Sequence, residues 1–197
     1  ALPLLAAGAP IFIIWGRRSP AAILPIGFGI LLLGLGTIGS ATAPLAQDPA
    51  IPRMVSAIGD RPLLGVGAGF ILTTVLDSSS AAIALLQQFI ESGLLTPGNA
   101  LPILYGDNLG TTTATLVAAL ALSSPGRQAA AFHLLFNLVG VVMLWPLTWV
   151  LPDWLPLWSG SGAQQLAMAH TVFNVSAAAM CLPWRHHLIR ICQNIFP

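Results

Sequence analysis

Residues 62–91 read PLLGVGAGFILTTVLDSSSAAIALLQQFIE, an apolar run interrupted at one place, Asp77-Ser78-Ser79-Ser80. Largely apolar sequence flanks the interruption on both sides. Hydrophobic residues make up 56% of the 197-residue chain and charged residues 7%, where soluble domains carry about 25% charged residues. So few charges leave a folded surface that water would not tolerate, and lipid is the simpler solvent. A polar cluster inside an apolar run then means non-helical backbone at membrane depth. Such backbone survives only against protein or beside a watery cavity.

On the N-terminal side, the stretch 1–16 reads as a partial span ending at Gly16-Arg17-Arg18, and it lacks the basic start of a signal peptide. Residues 21–46 are long enough to span and carry Gly27, Gly29, Gly34, Gly36 and Gly39, small residues that let helices approach closely in lipid. A polar interlude holds Pro49, Pro52, Arg53, Asp60 and Arg61, and Ile51–Ile58 within it suits a short interfacial helix. After residues 62–91 and a turn-like Ser92–Asn99, residues 100–122 are apolar at both ends and broken over Gly106–Thr113. Further spans are expected over 129–151 and 163–184. Between them lies an aromatic loop with Trp149, Trp154 and Trp158, and a tail over 185–197 follows.

There is no lysine. Arg17, Arg18, Arg127, Arg185 and Arg190 are expected on the cytoplasmic side, and the loop 152–162, free of basic residues, on the other. Residues 62–122 must then cross an odd number of times, although they contain two interrupted apolar segments. The economical solution makes 62–91 a re-entrant hairpin with its tip at the serines and 100–122 a broken span. The expected fold is an all-α integral membrane protein, a multi-pass helical bundle in one membrane domain, with a re-entrant hairpin and a broken transmembrane helix.

Both interruptions carry the chemistry of an anion site. A half-helix starting near Ser80, and another near Thr111, would aim positive dipole ends and free N–H groups at an anion. Ser78, Ser79, Ser80, Thr111, Thr112 and Thr113 add hydroxyls, and Asn108 adds an amide. Asp77 and Asp107 are acids in apolar surroundings, a placement that costs about 2.5–3.5 kcal/mol on insertion scales and usually marks function. Each is suited to ligate a cation or carry a proton, or else to cap a half-helix.

His133 and Asn137 stand four apart at the start of one span, and His170 and Asn174 repeat the pattern at the start of the next. Each pair shares a helix face, which suits interhelical hydrogen bonding or the lining of a cavity. His186, His187 and Cys192 fit no standard metal spacing, and Cys181 and Cys192 are too few for a disulfide framework. Gln87 or Gln88 is expected toward the core and Glu91 at the interface. A net charge of +1 without a basic patch argues against nucleic acid as a partner.

In these residues the chain resembles the type II sodium–phosphate cotransporter family. Leu76-Asp77-Ser78-Ser79-Ser80-Ala81 is similar to its Q-S-S-S-A signature. Gly106-Asp107-Asn108-Leu109-Gly110-Thr111-Thr112 is similar to G-A-N-I-G-T-T. The two H-x-x-F-N segments and the glycine-rich span agree in order over about residues 21–184. The resemblance implies one half of an inverted-repeat transporter that encloses phosphate and sodium. Ser78, Ser79, Ser80, Asn108, Thr111 and Thr112 would contact phosphate, and Asp77, Asp107, Ser80 and Thr113 would bind the cation.

Asp77 replaces the signature glutamine and Asp107 the alanine, and one Ser-Ser-Ser motif is present where the family has two. A second copy or another half would complete the repeat. The resemblance thus implies a sodium-coupled secondary transporter of inorganic phosphate in the cell inner (plasma) membrane. No cofactor is expected beyond sodium, or a proton, as coupling ion. Two alternatives are a half-transporter acting as a scaffold and an intramembrane serine hydrolase pairing a serine of 78–80 with His133 or His170. The absence of a G-x-S-x-G elbow argues against the hydrolase.

Overall fold

A computed structural model describes residues 2–15, 20–42, 44, 47–59, 61–158 and 160–197, all helix, turn or short connection. Arg17, Arg18 and Asp60, singled out above, lie outside the described residues. The chain forms two compact units, Ala1–Gln47 and Asp48–Pro197.

The first unit is a helix pair, α1 (Leu2–Trp15) and α2 (Pro20–Thr42). Gly29 admits Leu5: a Cβ at that glycine would sit 2.6 Å from the Leu5 side chain. Along α2 the hydroxyls of Thr37, Ser40 and Thr42 return to the carbonyls of Leu33, Gly36 and Gly39, so the helix shows lipid no unpaired hydroxyl donor.

The second unit opens with α3 (Ala50–Gly59), an amphipathic helix over the expected interfacial segment. Then come α4 (Pro62–Leu76), α5 (Ser79–Glu91), α6 (Pro97–Gly110), α7 (Thr112–Ala119), α8 (Ser124–Leu144), α9 (Leu147–Trp158), α10 (Gly162–Cys181), a short 3-10 turn over Leu182–Trp184 and α11 (Arg185–Ile195). Among the described residues, three stretches are long and apolar enough to cross a membrane: Ile23–Thr42, Ser124–Leu144 and Gly162–Ile195.

Helix boundaries follow local chemistry. Thr96 caps α6 by accepting from the Asn99 amide, with Pro97 in its first turn, and Ser161 caps α10 by accepting from Gln164. Gly93, at φ +76°, ends α5 in the left-handed region, where its amide reaches the Ile90 carbonyl and that of Leu94 reaches Phe89.

Three expectations change. The span expected over 129–151 divides at Trp145–Pro146, because the proline has no N–H to continue the ladder. The aromatic loop is helical through Trp158: Leu151 and Leu155 are buried, and the four-apart pairs Trp145–Trp149 and Trp154–Trp158 meet edge to face. The tail is a helix, α11, which buries Leu188 and Cys192.

The closest packing joins α4 to α6. Gly65 and Gly69 on α4 face Gly106 and Gly110 on α6, each pair in a G-x-x-x-G spacing. A Cβ on Gly69 would overlap the Ile103 carbonyl, and one on Gly106 would overlap the Val66 carbonyl. Only hydrogen at these four positions lets the two backbones touch. Around this seam, Leu101, Leu104, Tyr105, Leu155, Leu166 and Phe173 form the core.

Candidate functional site

The contacts along the seam fix where its polar residues lie. Gly65 meets Pro102, Gly69 meets Ile103 and Asp107, Gly110 meets Phe70 and Thr73, and the Thr74 and Thr113 hydroxyls lie 3.0 Å apart. Residue numbers rise together on both helices, so α4 runs alongside α6 in the same direction. The α6–α7 stretch from Pro97 to Ala119 is about 34 Å long at 1.5 Å per residue, with Asp107 about 15 Å and Thr113 about 24 Å from its start. Ser78 comes four residues after Thr74, just beyond the end of α4 at Leu76. At the other end, Pro62 shares a cavity wall with Pro97, and Ile90 lies against Gly162, which also approaches Pro97.

Asp107 is wholly buried. Thr73, itself 1% exposed, donates its hydroxyl to Asp107 Oδ1. Oδ2 has no hydrogen-bond partner among the described residues. A buried carboxylate oxygen without a donor is costly, and such a gap asks for a missing proton, ion or water. The helix-capping alternative fails here, since the carboxylate bonds across to α4.

The backbone breaks at Asp77–Ser78. Asp77 is the one described residue other than glycine with positive φ, at 49°, a conformation that aspartate tolerates better than most. Its side chain is exposed. Ser78 is extended and caps α5 by accepting from the Ala81 amide, while the Ala82 amide bonds the Ser78 carbonyl. The amides of Ser79 and Ser80, first in the helix, have no such partner among the described residues. Ser78 and Ser79 are half-buried and Ser80 is exposed.

The break expected over Gly106–Thr113 contracts to Thr111. That residue keeps helical dihedrals, and its amide bonds the Asp107 carbonyl. No half-helix opens there, because an amide already paired within the helix has no N–H to offer. The Asn108 amide donates to Leu104 O, and the hydroxyls of Thr111 and Thr112 donate to the carbonyls of Asn108 and Leu109. Thr115, overlooked in the sequence, donates to Thr112 O and meets His133 Nδ1 at 3.2 Å. The histidine considered for hydrolysis thus contacts a threonine of α7.

Asn137 and Asn174 each bond the carbonyl four residues back, on His133 and His170; Asn137 is buried and Asn174 exposed. Of the two glutamines, Gln87 reaches inward, donating to Ala163 O at 3.0 Å and tying α5 to α10. No group of three His, Cys, Asp or Glu suited to a metal occurs among the described residues. Thr73 and Thr74 carried a legible signal, adjacent hydroxyls in an apolar helix. The facing glycines did too, as two four-residue repeats.

A cavity of about 490 Å³ opens at the Pro97 end of α6, lined by Pro62, Thr96, Asn99, Thr148, Trp149 and Gln165 among others. It lies on the far side of Asp107 from the serine turn.

Residues 41–169 match the Na+/Pi-cotransporter family. The chain is 25% identical over 172 residues to the uncharacterized protein YqeW of Bacillus subtilis (strain 168), covering 87% of this chain and 56% of that protein. It is 27% identical over 196 residues to YjbB of Escherichia coli (strain K12), named as a candidate inorganic phosphate exporter, covering 98% and 36%. It is 39% identical over 88 residues to the human sodium-dependent phosphate transport protein 2B, covering 42% and 12%. The chain thus spans about half or less of these relatives. No solved structure matches it.

Proposed function

Because the chain belongs to the Na+/Pi-cotransporter family, a transporter family and not an enzyme family, we propose that it forms one half of a sodium-coupled secondary transporter of inorganic phosphate. The observation that carries the reading is the open start of α5. There the unclaimed amides of Ser79 and Ser80, with the hydroxyls of Ser78, Ser79 and Ser80, form a donor cluster at a helix N-terminus. The cluster follows the Thr74–Thr113 contact, which itself lies about 24 Å along the roughly 34 Å of α6–α7.

In this reading residues 62–91 are a re-entrant hairpin. Pro62 and Ile90 both lying toward the Pro97 end of α6 supports that. Phosphate sits against Ser78, Ser79 and Ser80 on one side. Asn108, Thr111 and Thr112 line the other side once their hydroxyls and amide exchange helix carbonyls for the ligand. The coupling cation balances this anion with Asp107, whose Oδ2 is unsatisfied, and with Asp77, Ser80 and Thr113. A proton on either aspartate is the alternative coupling ion. His133, Asn137, His170 and Asn174 have structural or cavity-lining roles, His133 through its contact with Thr115 of α7. The other half of the inverted repeat comes from a second copy or from sequence present in the longer relatives, and the assembly resides in the cell inner membrane.

The test is sodium-dependent phosphate uptake in proteoliposomes. Ser79→Ala and Asn108→Ala are expected to raise the phosphate concentration needed for half-maximal uptake while the protein stays monodisperse. Uptake unchanged in both variants refutes the site. Phosphate binding without any uptake would favour the scaffold reading.

A further inference from the structure

At the opposite end of α7 from Asp107 lies a cleft of about 370 Å³ between α7 and the start of α8. It exists because small residues face each other there: Ala119 on α7 against Ala130 and Ala131 on α8, with Leu116 and Leu120 closing one wall. Phe196 closes the other. The Phe196 carbonyl accepts from Ser124 Oγ at 2.7 Å and from Gln128 Nε2 at 2.8 Å, which fixes the wall in place. The lining is almost wholly apolar, with one charged residue, Arg127, and no acid.

Arg127 Nε donates to the Leu122 carbonyl at 3.0 Å, which holds the guanidinium plane. Its Nη groups have no hydrogen-bond partner among the described residues, and the side chain is exposed. An oriented guanidinium presents a planar donor fork suited to a phosphodiester oxygen pair. By the arginine rule this is the cytoplasmic end of the bundle, where basic pockets between membrane helices bind anionic headgroups.

We propose that this cleft is a binding site for one anionic phospholipid, an acyl chain lying between Ala119 and Ala130 and the headgroup phosphate on Arg127. The charge complementarity selects an anionic lipid over a zwitterionic one, and the apolar depth selects a lipid over free phosphate. The site is separate from the transport reading and does not depend on it.

Native mass spectrometry of the detergent-purified full chain tests it, with phosphatidylglycerol, phosphatidylcholine and inorganic phosphate as probes. The wild type is expected to retain one phosphatidylglycerol in preference to phosphatidylcholine by about fivefold or more, the equivalent of about 1 kcal/mol per arginine. Arg127→Gln, a change on an exposed side chain, is expected to abolish the preference. Ala131→Trp, which fills the cleft, is expected to reduce retention of both lipids. Equal retention of both lipids by the wild type, an unchanged preference in Arg127→Gln, or displacement of the lipid by inorganic phosphate overturns the proposal. If Ala131→Trp does not fold, the Arg127→Gln comparison decides alone.

Discussion

Replacing Gly69 by alanine tests the seam that positions Asp107. The new Cβ would overlap the Ile103 carbonyl, and even the Asp107 amide nitrogen would stand 2.9 Å away, where ordinary contact begins at 3.4 Å. These neighbours are helical backbone and do not rotate aside, so α4 must withdraw from α6. Overpacking of this kind costs about 1–3 kcal/mol. Withdrawal also breaks the Thr73–Asp107 hydrogen bond, and a buried acceptor left without its donor costs about 1–3 kcal/mol more. Against this, alanine is favoured over glycine in a helix by about 0.5–1 kcal/mol.

The net expectation is a loss of about 1–5 kcal/mol, allowing for non-additivity between neighbours. Gly67 provides the control: it lies on the same helix two residues away, and a Cβ added there would meet nothing within 4 Å. Gly67→Ala should be neutral or gain about 0.5–1 kcal/mol. At roughly 2–4 °C per kcal/mol for a chain of this size, heating followed by size-exclusion chromatography should place the Gly69→Ala midpoint at least about 2 °C below that of Gly67→Ala. Coincident midpoints would show that α4 and α6 do not meet through these glycines.

Three further outcomes follow from particular residues. Thr73→Val keeps the shape but removes the donor to Asp107, so it should lower the thermal midpoint by the equivalent of about 1–3 kcal/mol, with Thr73→Ser restoring it. Asp77→Asn preserves tolerance of the left-handed conformation while removing the charge, so the fold should survive and the sodium dependence of uptake should shift; an unchanged sodium profile would limit Asp77 to a backbone role. Gly93→Ala forces a side chain into φ +76° and should destabilise by about 1–2 kcal/mol, read as a lower unfolding midpoint.

Composition and local backbone chemistry pointed to lipid as the solvent and to the place of the main break at Asp77–Ser78. An apolar run interrupted by Asp77-Ser78-Ser79-Ser80 has few ways to satisfy its amides, and Ser78 is a favourable helix cap wherever the chain folds. Long-range packing prevailed where it outweighed local preference. Gly106–Thr113 looks like a breaker by composition, yet it stays helical to Gly110 because its glycines are needed for contact with α4. The prolines at 152 and 156 suggest a loop, yet burial of Leu151 and Leu155 holds α9 together.

Asp107 shows the division most clearly. Its presence in an apolar segment was legible as an anomaly. That its partner is Thr73, thirty-four residues away, depends on two helices meeting through four glycines. A contact between distant segments is set by the shapes of both surfaces, and that information appears only when the chain has folded.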